Sequence, residues 1–221
     1  MIEGPTLVAE AHASGWPLVE LYLGPDGVDP CHGAVPVVRL AKGVVEQVAT
    51  TVTPQPVLAL AERRTAAADR LLGDFVLAAD GVADPGNLGT ILRSAEASGV
   101  SAVVLATGTV DPFNPKVVRS SAGSLFRVAI SEVVAIDALA HDGRQVHSTS
   151  SHAGVPYDEV DWRGPIAIVL GNEAHGVSAA MPGRSVIIPH VGPAESLNVA
   201  MAATVLCFEV ARQRRHATRH P

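Results

Sequence analysis

Two cysteines in 221 residues, Cys31 and Cys207, lie far apart and in no CxxC pair. That argues against a disulfide framework and against a cysteine-built zinc site, and both read as free thiols, Cys207 in a core. Lysine is equally scarce: Lys42 and Lys116 are the only two, so arginine carries nearly all the positive charge. Charged residues make up 17% against 48% hydrophobic, which excludes disorder over most of the chain. No apolar run approaches the roughly 20 residues needed to span a bilayer, although mean hydropathy is +0.27. The first residues lack the basic and apolar stretches of a signal peptide, since Glu3, Gly4 and Pro5 follow at once, so a cytoplasmic protein is expected. No GxGxxG follows a strand, no GxxxxGK[ST] loop occurs, and the nine histidines form no HExxH. Generic dinucleotide-binding enzymes and metal hydrolases are disfavoured accordingly.

The formal charge of -6 counts against a protein that coats nucleic acid with a basic surface. A local patch remains open. Basic and acidic residues number 5 and 9 up to Asp74, then 11 and 13, so a phosphate-binding surface has to be assembled from clustered arginines, across two subunits if need be.

The chain divides by texture. Helix Thr6 to Ala13, strand Val19 to Leu23, strand Val35 to Leu40, helix Lys42 to Ala49 and strand Val57 to Ala61 describe a small α/β unit over 1–62. An Ala-rich, charged stretch from Arg63 to Gly73 reads as a helical linker. From residue 74 to 221, short apolar strands alternate with loops and helical patterns: Phe75 to Ala79, Ala102 to Ala106, Phe126 to Ile130, Val146 to Thr149, Ile166 to Leu170 and Val186 to Ile188. Such alternation indicates an α/β fold with a parallel sheet and helices on both faces. Ligands of such sheets sit beyond the carboxyl ends of the strands.

Three segments lie just after candidate strands. In DPGNLGTILRSAEASGV a polar turn opens a helix from about Leu88 and Gly99 stops it. Asn87 reads as a cap for free amides, and Arg93 lies almost two turns on, so both can face the strand-end crevice. In IAIVLGNEAHGVS a buried strand exits at Leu170, Gly171 permits close backbone approach, Glu173 is a cap or a polar anchor, and His175 is a loop histidine. In IPHVGPAESLNVAMAATVLCFEVAR a Gly/Pro loop feeds a helix from Leu197 to Ala211, with Ser196 as N-cap and Asn198 in its first turn. That helix is apolar almost all round, so it is buried in the core or against another subunit. Between the first two segments, Asn114 to Gly123 reads as a helix with Pro near its start and Gly at its end. Lys116 and Arg119 share a face there.

Together the three segments resemble the three motifs of the SpoU (TrmH) family, the RNA ribose 2'-O-methyltransferases of the SPOUT superfamily. Periodicity alone suggests an ordinary doubly wound sheet; the resemblance implies a C-terminal deep trefoil knot, preceded by a small α/β substrate-binding domain. It also implies S-adenosylmethionine as cofactor, a homodimer packed through the last helix, and an RNA substrate, ribosomal by preference. The alternatives are a transfer RNA enzyme and a catalytically silent RNA-binding paralogue. By carry-over, Arg93, Asn87, Glu173, Ser196 and Asn198 form the catalytic set. Cofactor contacts fall to Thr149, Ser150, Leu170, Gly171, Asn172, Gly176, Ile188, Pro189 and Leu197. Lys116, Arg119 and Ser120 are assigned to RNA. No metal is implied. EGPTLVAEA, at Glu3 to Ala11, resembles a motif of that small domain, which relatives precede with a further segment, so an N-terminally shortened domain is expected.

Overall fold

The computed structural model describes residues 1–65, 73–132, 139–140, 143–172, 176–177, 183–193 and 195–219. The first sheet is built by β1 (Ile2–Glu3), β2 (Leu18–Leu23), β3 (Val37–Arg39) and β4 (Val57–Ala61), in the order β1-β4-β2-β3. β4 runs antiparallel to β1 and β2, and β3 is parallel to β2. Helix α1 (Pro5–Ala13) opens on a proline, whose missing amide hydrogen costs nothing in a first turn. It buries Val8 and Ala11, three residues apart on one face. α2 (Val44–Val48) is a single short turn.

From Phe75 the chain forms β5 (Phe75–Ala79), α3 (Pro85–Ser98), β6 (Ala102–Leu105), α4 (Pro115–Ser120), β7 (Ile130–Glu132), β8 (Gln145–Thr149), β9 (Val155–Pro156), β10 (Ile166–Leu170), β11 (Arg184–Ile187) and α5 (Val199–Arg219). The seven strands are all parallel, in the order β7-β6-β5-β10-β8-β11-β9. Every residue of β5 and β10 is buried, because central parallel strands are covered on both faces. On one face Phe75, Leu77, Ile166 and Ile168 meet Leu88, Ile91 and Leu92 of α3 and Ala203 and Leu206 of α5. On the other, Val76, Ala78, Ala167 and Val169 pack with Leu139 and Val177. Each large apolar side chain so buried stabilises the fold by roughly 1.5–3 kcal/mol.

The small sheet docks on the large one. Its Ile2, Val8, Leu21 and Leu23 belong to the same apolar cluster as Phe75 and Leu77. Trp16 meets the edge of Phe126 with ring centroids 5.4 Å apart. Arg127 pairs with Glu10 of α1 at 2.5 Å and with Glu96 of α3.

Several expected boundaries move, each for a local reason. The Phe126 to Ile130 strand is not formed: Ser124–Phe126 is a 3-10 turn behind Gly123, and β7 begins at Ile130. Phe126 is apolar because it packs on Trp16, and a short apolar run does not separate strand from buried turn. Helix α3 starts at Pro85, since Asp84 is its cap: the carboxylate accepts the Asn87 amide at 2.8 Å. The stretch 62–65 is not helical, and 66–72 of the expected linker helix lies outside the described residues. β1 and β9, two residues each, are too short to register as a period.

Candidate active site

Asn198, not Ser196, caps α5. Its side-chain oxygen accepts the amides of Ala200 at 2.9 Å and Met201 at 3.4 Å. Its side-chain nitrogen donates to Asn87 Oδ1 at 3.0 Å. Asn87 therefore does not cap α3, a place Asp84 holds, and instead links the start of α3 to the start of α5. Farther along, Ser94 and Thr204 join the same two helices by hydroxyls 2.7 Å apart. Arg93 projects from this pair into solvent and has no hydrogen-bond or ion-pair partner among the described residues.

Just past β10 the backbone pairs with itself. Asn172 and Gly176 exchange backbone hydrogen bonds at 3.0 and 2.8 Å. A Cβ on Gly171 would lie 2.3 Å from the Gly176 carbonyl carbon and 2.5 Å from the Val177 nitrogen, so only glycine admits this approach. Asn172 also donates to the Gly81 carbonyl at 2.8 Å, tying this segment to the loop that precedes α3. Glu173 and His175 lie outside the described residues.

Beyond β8, β10 and β11 opens a cavity of about 560 Å³, within the roughly 300–1,000 Å³ of small-ligand sites. Thr149, Ser150, Gly171, Asn172, Gly176, Ile188 and Leu197 line it, and Ser196 joins them. Leu170 is fully buried behind Gly171, and Pro189 is exposed but forms no part of the wall. Ser148, from the same strand end as Thr149 and Ser150, lines it too, and residues that sequence reasoning missed include Ser185, His152, His190, and Val199, Ala202 and Leu206 of α5. The α5 trio was findable, since positions 199, 202 and 206 share one helical face. Ser148 and Ser185 meet only through the register of β8 against β11. The described wall holds no carboxylate and no arginine or lysine; His152 and His190 are its ionisable groups.

The three residues assigned to RNA do not share one surface. Lys116 is exposed. Arg119 turns toward the small sheet, donating to Thr50 at 2.9 Å with Glu3 3.9 Å away. Ser120 packs between α4 and α3, its hydroxyl 2.7 Å from the Lys116 carbonyl and 3.0 Å from that of Pro85. A Cβ on Gly89 would overlap that hydroxyl, 1.9 Å away, so the close crossing requires this glycine too.

His147 sits one residue before the cavity wall and is 4% exposed, its ring edge-on to Trp162 with centroids 4.8 Å apart. Neither ring nitrogen has a hydrogen-bond partner among the described residues. Burial, with Arg184 adding its charge, holds this imidazole below the ordinary histidine range. Cys207 is fully buried in α5, which pushes its thiol up to about 12 and leaves it unreactive.

A parallel sheet with small docked sheet, and a strand-end cavity walled by the second and third motifs, define a class. The chain belongs to the SpoU rRNA Methylase family, whose model matches residues 74–208. Among its relatives, the 23S rRNA (guanosine(2553)-2'-O)-methyltransferase RlmP of Bacillus subtilis is 36% identical, over 95% of this chain and 87% of that protein. The SpoU methyltransferase AviRb from Streptomyces viridochromogenes, solved in complex with AdoMet, matches with a TM-score of 0.85 at 28% identity, over 97% of this chain and 90% of that one. An AdoMet-bound rRNA methyltransferase from Sinorhizobium meliloti matches with a TM-score of 0.83 at 32% identity, over 97% and 86%.

Proposed function

We propose that this chain transfers a methyl group from S-adenosylmethionine to a ribose 2'-hydroxyl of ribosomal RNA. The cavity beyond β8, β10 and β11 carries this reading: Gly171, where backbone packs closely, Ile188 and Leu197 line it beside the hydroxyl-bearing Thr149, Ser150 and Ser196. Close backbone approach with few long side chains suits a nucleoside held by main-chain donors and acceptors. When bound, S-adenosylmethionine supplies an electrophilic methyl group on a sulfonium. The protein's part is orientation: hydroxyl oxygen, methyl carbon and sulfur in line, with no covalent enzyme intermediate.

Arg93 is the group proposed to meet the RNA. A guanidinium gives up its proton only above about pH 12, so its suited role is to grip phosphate and stabilise charge developing on the ribose oxygen. Asn87 and Asn198 then act as positioning residues, because their mutual hydrogen bond sets the helix bearing Arg93 against the third motif. Glu173 belongs to the same proposal on resemblance alone. Ribosomal rather than transfer RNA is favoured because two relatives named for rRNA cover the small sheet as well as the large one.

The reading includes a homodimer. Met201 and Phe208 are 62% and 44% exposed, and seven residues apart they form one apolar stripe on α5 that a second copy would cover. It also includes a C-terminal trefoil knot and a cytoplasmic location. No described helix is long and apolar enough to cross a membrane. The deciding experiment is transfer of labelled methyl to unmethylated ribosomal and transfer RNA, followed by mapping of the modified nucleotide. Ribosomal RNA labelled at a single ribose is the expected result; tight cofactor binding with no transfer to any RNA would refute it.

A further inference from the structure

A second cavity, of about 390 Å³, opens at the same end of the large sheet, beyond β6 and β7. Its walls come from the 105–112 segment, from Glu132 at the end of β7, and from Arg63, which leaves the small sheet just after β4. The cavity therefore lies where the small unit passes onto the large one. β5 stands between β6 and β10, so two strand spacings, about 10 Å, separate it from the loop at Gly171. The loop leading into α3, which bears Asn87 and Arg93, lies between the two cavities because it follows β5.

Arg63 is held as a flat platform. Its guanidinium donates to Asp111 at 2.9 Å and lies over the Phe113 ring, 4.7 Å from the centroid. Asp111 is itself fixed by the Phe113 amide at 2.8 Å. The Arg63 side chain is still 64% exposed, so one side of this phenyl-guanidinium stack remains open to a ligand. Arginine planes and aromatic rings are the surfaces on which unpaired RNA bases stack. The same cavity is lined by the exposed carboxylate of Glu132, which repels phosphate and accepts N–H donors.

We propose that this cavity binds an unpaired nucleobase of the RNA substrate, a neighbour of the methylated nucleotide, stacked on Arg63 and read along its edge by Glu132. Guanine fits best, because its imino and amino groups present two adjacent donors to one carboxylate. Uracil, with a single N–H between two carbonyls, fits worst. The inference rests on RNA being the substrate, and it adds a selectivity site distinct from the cofactor cavity.

The test uses the full chain and oligoribonucleotides containing the mapped target, with an abasic residue placed in turn at each flanking position. One position should lower kcat/KM about tenfold or more, the scale of one stacked base. Arg63→Ala should show the same loss on intact RNA and no further loss with that abasic RNA, whereas Arg63→Tyr, which restores a stacking surface, should recover most of the rate. With guanine at that position, replacement by inosine should slow wild type and leave Glu132→Gln unaffected. Cofactor affinity should be unchanged in all three variants, which separates a base site from general damage. Equal rates for Arg63→Ala and wild type, or losses that simply multiply at every abasic position, would overturn the base site while leaving the methyltransferase reading intact. Absence of transfer to any RNA would instead overturn that reading.

Discussion

Asn198 holds two helices at once, and neither of its bonds is visible in the chain's own order. Its oxygen takes the free amides that open α5, while its nitrogen reaches Asn87, 111 residues away. The Ser-Leu-Asn order points to Ser196 as the cap with Asn198 in the first turn, yet asparagine caps as well as serine. Tertiary contact decides it. Arg93, by contrast, stands exposed farther along α3, and Arg93→Ala should lower kcat/KM at least about a hundredfold with unchanged cofactor affinity, as expected for one charge-stabilising contact. Full turnover in that variant would remove its assigned role.

His147 also belongs to the residue scale. Its folded-state pKa is depressed by burial, so above about pH 6.5 the imidazole is neutral in both folded and unfolded chains and acidity has no effect through it. Below that pH the unfolded chain takes up a proton that the buried ring resists, and stability falls. Urea midpoints measured from about pH 7.5 down to 5 should therefore decline, and His147→Phe should flatten part of that decline. An identical slope in the two proteins would show that other groups govern the acid response.

Among the elements, α5 joins site to fold. Val199, Ala202 and Leu206 line the cavity proposed for the cofactor, Ala203 and Cys207 face the core, and Met201 and Phe208 are exposed. The first turns of α5 are apolar almost all round, which is explained if every side has a neighbour, and Met201 and Phe208 stay 62% and 44% exposed within one chain. Phe208→Asp, a change on that outer side, should shift a dimer to monomer in sedimentation at micromolar concentration while leaving the circular dichroism spectrum unaltered. A wild-type monomer under the same conditions would remove the dimer altogether. The strands show where sequence reading succeeds: β5 and β10 have the limits their apolar runs indicate, because strands buried on both faces leave no polar alternative. It falters at Phe126, where apolar character serves a contact with Trp16 from the other sheet.

At the scale of the whole molecule, charge is the puzzle: a net -6 must still meet a polyanion. Several candidate cations are occupied internally. Arg127 clamps α1 to α3, and Arg119 faces Thr50 and Glu3. Phosphate contact is left to exposed groups such as Lys116 and Arg93, doubled in a dimer. RNA affinity should then fall steeply with added salt despite the acidic balance, measurable as the slope of log affinity against log salt. A flat response would point to a substrate with few phosphates.

The amino-acid order alone determined the alternation of buried strands and helices, the three loop segments at strand ends, and part of the wall of the larger cavity, Gly171, Ile188 and Leu197 among it. Those are local facts, set by apolar periodicity and by turn chemistry within a few residues. Tertiary structure decided which polar groups are spent on architecture and which are left for substrate. Arg119 and Ser120 hold hydrogen bonds within the fold, whereas Arg63 stays 64% exposed in the wall of the second cavity, the place proposed for a base. The physical reason is that a side chain's hydrogen-bond partner and its exposure depend on strands and helices far away in the chain.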